Sequence, residues 1–230
     1  MSHTFSLVDS LSLGDLQVFL SRAQRVEDGS VRLIAGSGVL AVYVAVLVPS
    51  GLLDESPTVL GLRTFALTAP QSTDASTFDA VVPVRSLLER INRLNGEVVD
   101  PTAAITVTLP MQVNTVTWAA ISPPRGGWKA LGSVEAALLE SVAKAGIDEV
   151  AAAIPTGTGE QLVQRVRSEV WGHPIAGLEH LPAGAAFAGL SLGFLGGSEP
   201  VRIYETGPWT RLTSARGHVL VKRRAWSLQR

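Results

Sequence analysis

Apolar residues recur three and four positions apart at Leu16, Phe19, Leu20 and Ala23, a spacing that predicts an amphipathic helix over 12–25 opened by a capping-box-like Ser12 and Asp15. The pattern then changes period. Segments 31–35 and 39–48 are rich in β-branched residues and flank Gly36-Ser37-Gly38, which predicts a hairpin. In 59–67, Leu60, Leu62, Thr64 and Ala66 alternate with Gly61, Arg63, Phe65 and Leu67, the signature of a third strand. Residues 78–82 read as extended, and Pro83 suits a helix start because its missing N–H is not needed there. Leu87, Leu88, Ile91 and Leu94 mark the buried face of that helix, with Asn95-Gly96 as its stop. Segments 105–109 and 113–121 predict two further strands separated by a short turn at 110–112.

At Ser122-Pro123-Pro124-Arg125-Gly126-Gly127 the composition turns from strand-forming to helix-forming, which predicts a junction between a unit over 1–122 and another over 123–230. Ser133 is placed to cap a helix running to Ala145 with Gly146 just past its end, Asp148 to begin a short second helix to Ile154, and 159–171 to form a third. Leu162, Val163, Val166 and Val170 give the third helix one apolar face. Residues 183–195 are apolar or small almost throughout, which predicts a buried helix too short to span a bilayer. Three short strands, 200–204, 209–213 and 218–221, precede a basic end. The fold class that follows is α+β: an antiparallel sheet with two helices in the N-terminal half, and a helical unit with a small antiparallel sheet in the C-terminal half.

With 46% hydrophobic and 17% charged residues over 230 positions, the chain has the composition of a globular protein with a self-sufficient core rather than of a disordered one. It contains no cysteine, which excludes disulfides, thiolate nucleophiles, thiolate zinc sites and cysteine-held iron–sulfur clusters. Residues 1–9 show no basic segment followed by an apolar one, and no apolar run reaches the length of a membrane span, so the expected location is the cytoplasm. The net charge of −1 gives no global attraction to nucleic acid. The charge is uneven, however: every charged residue after Glu205 is basic.

Catalytic motifs are weighed and set aside. Pro155-Thr156-Gly157-Thr158-Gly159-Glu160 precedes a helix but lacks the lysine of a phosphate loop and the preceding strand of a dinucleotide fold, so it reads as an interhelical turn. His173, Glu179 and His180 do not have the spacing of a metal site, and Asp54-Glu55 and Asp148-Glu149 are adjacent acids that read as solvated or capping. There is no Gly-x-Ser-x-Gly elbow. Residues 147–171 read as a helical hairpin rather than a DNA-reading one, because Arg165 and Arg167 are offset by Glu160 and Glu169. No catalytic residue, metal ligand or cofactor is therefore nominated.

What remains is surface chemistry. Arg125, Trp128 and Lys129 combine an aromatic ring with cations at the junction, the composition of a protein-interface hot spot, so the leading expectation is a non-catalytic interaction or assembly module that binds an unidentified protein or itself. The alternative is a nucleic-acid-associated protein using Arg211, Arg216, Lys222, Arg223, Arg224 and Trp226, with cations on phosphates and the ring on a base. A third is a small-molecule enzyme or binding protein with its site between the halves.

The stretches Pro123-Pro124-Arg125-Gly126-Gly127-Trp128, Ala183-Gly184-Ala185-Ala186-Phe187-Ala188 with Gly193-Phe194-Leu195-Gly196, and Trp209-Thr210-Arg211-Leu212 with Arg216-Gly217-His218-Val219-Leu220 together resemble an uncharacterised family of actinobacterial proteins. That resemblance implies a cytoplasmic bacterial protein and carries over no functional residue. The order of elements in the first half also resembles one domain of a DNA sliding clamp, an analogy of element order that transfers no function.

Overall fold

The computed structural model describes residues 3–49, 51, 54, 56–68, 77–114, 116–154, 159–197 and 199–223. Helices and antiparallel strands make it an α+β protein, and it divides into two compact units. The first comprises residues 1–44 and 62–121, the second 45–61 and 122–230. The stretch 45–61, which the sequence pattern assigns to the first half, thus groups with the second, where β4 (Thr58–Ala66) has β12 (Gly217–Lys222) as its neighbour in the strand order.

In the first unit, β1 (Thr4–Leu7) pairs antiparallel with β6 (Ile105–Thr108), Thr4 opposite Thr108 and Leu7 opposite Ile105. Helix α1 (Ser10–Val26) follows, its first turn capped by Asp9, whose carboxylate accepts the Ser12 N–H at 2.7 Å. The cap is Asp9 rather than Ser12, so the helix starts two residues earlier than its hydrophobic spacing implies. Leu13, Leu16, Phe19, Leu20 and Ala23 are buried, and the helix packs on α2 (Val84–Glu97), which buries Leu87, Leu88 and Ile91. The sheet order is β5-β2-β3-β4, with β2 (Ser30–Gly36), β3 (Val39–Leu47) and β5 (Phe78–Pro83) in antiparallel register. Ser37 and Gly38 turn the β2–β3 hairpin at φ 52° and 75°, the doubly positive pair of a twist-matched two-residue turn. Where the pattern predicts a strand over 113–121, the described residues form none. A short 3-10 helix, Thr117–Ala120, forms instead and buries Trp118.

In the second unit β7 (Lys129–Val134) precedes α3 (Ala136–Ala153), which is one helix of 18 residues rather than two. Gly146 does not end it. It lies within the helix where Trp171 of α4 (Glu160–Gly172) packs against the bare backbone, and Trp171 stacks on Phe187 with ring centroids 4.2 Å apart. A small hairpin, β8 (Pro174–Ile175) and β9 (Leu178–Pro182), leads into α5 (Ala183–Ser191), whose Ala185, Ala186 and Ala188 are fully buried. Small residues let neighbours approach closely here: a methyl on Gly184 would meet the Trp171 carbonyl oxygen, and one on Gly189 would meet Leu195, each at 3.0 Å. The sheet of this unit runs β4-β12-β11-β10-β7, with β10 (Val201–Thr206) and β11 (Trp209–Ser214) joined by tight turns to form an antiparallel meander with β12. No helix among the described residues is long and apolar enough to cross a membrane.

Candidate functional site

The register of the second unit's sheet sorts its side chains onto two faces, since successive strand residues point to opposite sides. Val201, Ile203, Leu212, Val219 and Val221 share one face and are buried as core. Tyr204 opposes Arg211, and Arg211 opposes Leu220, so these three share the other face. Trp128, in the segment leading into β7, joins them there. The Arg211 guanidinium carbon lies 4.5 Å from the Trp128 ring centroid and 4.7 Å from that of Tyr204, a cation held by two π faces. Trp128 is pinned in this pose by its indole N–H, which donates to the Pro124 carbonyl at 3.1 Å.

Burial lowers the pKa of the Arg211 guanidinium from its ordinary value, with the Tyr204 phenol opposing that effect. Its Nε is buried with no hydrogen-bond partner among the described residues. None of the ion pairs among those residues includes Arg211. Nearby, His218 shares a 3.0 Å hydrogen bond between its Nδ1 and the Thr213 hydroxyl, and its pKa is lowered from 6.5 to about 4, first by burial and then by the Arg211 charge. The ring is therefore neutral at physiological pH.

Residues that the sequence assigns to two rival surfaces are distributed in an informative way. Trp128 of the proposed protein interface and Arg211 of the proposed nucleic-acid site meet in a single cluster. Arg125 is exposed in the segment beside it. Lys129 is exposed but lies opposite Glu205, which places it on the other face of the sheet. Lys222, opposite Trp209, shares the Arg211 face. Arg223 is engaged elsewhere, donating to the Gly207 carbonyl at 3.1 Å and lying 3.7 Å from Glu205. Arg216 sits at the β11–β12 turn against Gly196, about 20 Å along the strands from Lys222. Arg224 and Trp226 lie outside the described residues. Tyr204, the second ring on Arg211, has no part in the sequence-based proposals; its spacing two positions from Arg202 along β10, which puts both on one face, was the available signal.

Other features are local. Glu179 accepts the Gly177 N–H at 3.0 Å within the β8–β9 turn, and no cluster of metal-ligating side chains occurs among the described residues. A shallow hollow of about 570 Å³ in the first unit is lined by Ser86, Glu89, Arg90, Arg93, Pro110 and Met111. Arg90 there is tied to the carbonyls of Thr108 and Leu109 at 3.1 and 3.2 Å.

The fold is similar to that of a solved DNA polymerase sliding clamp. The DNA polymerase sliding clamp of Caulobacter crescentus superimposes with a TM-score of 0.51 at 13% identity, covering 98% of this chain and 67% of the clamp. The Helicobacter pylori beta clamp bound to a DNA ligase peptide gives 0.47 at 11% identity over 99% and 68%, and the DNA polymerase III beta subunit of Pseudomonas aeruginosa 0.49 at 11% over 99% and 66%. The chain spans about two thirds of the length of these clamps, and at such identity the likeness is one of fold. In sequence it matches two families, each described as a domain of unknown function: DUF8010 over residues 1–111 and DUF8185 over residues 123–226. No curated protein matches the chain.

Proposed function

We propose that this protein is a non-catalytic interaction module of a bacterial cytoplasm that binds a protein partner through the surface around Arg125, Trp128, Tyr204 and Arg211. The observation that carries the reading is the Arg211 cation held between Trp128 and Tyr204 beside the exposed Arg125. Tryptophan, tyrosine and arginine in one partly desolvated cluster are the residue types that dominate binding energy at protein interfaces.

Charge favours a protein partner over nucleic acid. The five α-helices among the described residues carry eight basic and eight acidic side chains, so they offer no basic track. Arg216 and Lys222 stand at opposite ends of β12, and Arg223 is engaged within the chain.

The test is affinity capture of the tagged full chain from host lysate, with and without nuclease, beside Arg125→Ala and Trp128→Ala variants. A stoichiometric protein retained after nuclease and lost from both variants is the expected result. Capture that is unchanged in both variants, or that vanishes with nuclease, overturns the reading.

A further inference from the structure

Arg211 belongs to a wider surface with one sign of charge. On its face the register also places Arg202, which opposes Thr213, and Lys222, which opposes Trp209. Glu205 is the one carboxylate in β7, β10, β11 and β12, and it points to the other face, where Arg223 lies 3.7 Å away. The face therefore carries three cations and no anion from its own strands, interleaved with Trp128, Tyr204 and the half-buried His218.

Elsewhere the chain supplies carboxylates to arginines that leave solvent. Arg32 is paired with Asp79 at 2.5 Å and Arg63 with Asp15 at 2.6 Å. Among the described residues Arg211 has two rings and no acid, and its Nε lacks a hydrogen-bond partner. A partly desolvated cation without a counter-charge is costly, and an incoming carboxylate repays that cost with a charge-assisted hydrogen bond.

We propose that this face binds an acidic, extended segment of a partner protein, whose carboxylates are taken by Arg211, Arg202 and Lys222 while its apolar side chains rest on Trp128 and Tyr204. The inference rests on the protein-interaction reading and names the chemistry of the partner. A nucleic acid fits less well because the guanidinium of Arg211 already occupies a face of each ring, leaving neither as an open stacking platform on that side.

The experiment titrates the full chain with three probes: a fluorescein-labelled peptide of alternating glutamate and leucine, its lysine-for-glutamate counterpart, and an oligothymidylate. Saturable binding of the acidic peptide alone is expected, weakened about tenfold by Arg211→Gln and several-fold by Arg202→Gln or Lys222→Gln, with Arg216→Gln unchanged. Arg202 is exposed, so its variant reports on binding without disturbing the core. Peptide binding that is absent or indifferent to Arg202→Gln, Lys222→Gln and Arg211→Gln overturns the proposal, as does tighter binding of the oligothymidylate. If the peptide fails while lysate capture still depends on Arg125 and Trp128, the acidic chemistry is wrong and the interaction reading stands; if both fail, both fall.

Discussion

Trp171 occupies the space that a side chain on Gly146 would fill: a methyl built there lies 2.8 Å from the Trp171 Cη2. Trp171 cannot easily withdraw, because it is 2% exposed and stacked on Phe187. Gly146→Ala should therefore destabilise the protein by about 2 kcal/mol through overpacking. Gly14→Ala is the control, since Gly14 lies inside α1 with nothing within 4 Å of the added methyl; it should stabilise by about 0.5–1 kcal/mol. Chemical denaturation of the two variants measures both.

Asp79 neutralises Arg32, whose side chain is only 11% exposed. Asp79→Asn should cost about 2 kcal/mol because it leaves that guanidinium without its counter-charge. Glu89→Gln, which breaks an exposed helical pair with Arg85 at 3.5 Å, should change stability by less than about 0.5 kcal/mol. Thermal melts at low and moderate salt separate the two cases.

Ser37 adopts φ 52°, a conformation that asparagine tolerates better than serine, and Gly38 follows at 75°. Ser37→Asn should raise stability by about 0.5 kcal/mol. An unchanged or lower denaturation midpoint contradicts this account of the turn.

His218 sets a pH dependence. Its pKa falls from 6.5 to about 4 on folding, so between those values the unfolded chain takes up a proton that the folded chain does not. Stability from this group is complete above pH 6.5 and declines as the pH falls towards 4, by about 2 kcal/mol once the ring's partial exposure is allowed for. Carboxylates titrate in the same range, so the informative quantity is the difference between the parent and His218→Gln, whose profile should be shallower over that interval. Parallel profiles contradict the assignment.

Elements with strong local signals were legible in the chain: α1 from its apolar spacing, the β2–β3 hairpin from Gly36-Ser37-Gly38, and the final meander from its short alternating runs. Those that depend on distant partners were not. β1 is four residues long and exists by pairing with β6 about a hundred residues away, and β7 is a strand because β10 lies beside it. Gly146 has the local character of a helix stop, yet its value lies in the notch it offers Trp171, a contact that spacing does not reveal. The candidate site divides in the same way. Trp128, Arg125 and Arg211 stand out by residue type, but Trp128 and Arg211 are 83 positions apart, and β7 beside β10, with β11 next, brings them to one surface.

The most direct measurement places a photoreactive benzoyl-phenylalanine at the exposed Gly126, next to Arg125, in the full chain and irradiates living host cells, with the same group at Ala151 on α3 as the control. The account predicts a discrete protein adduct from position 126 that Arg211→Gln strongly reduces, and no such adduct from position 151. Absence of an adduct from position 126, or one that persists unchanged in Arg211→Gln, contradicts it.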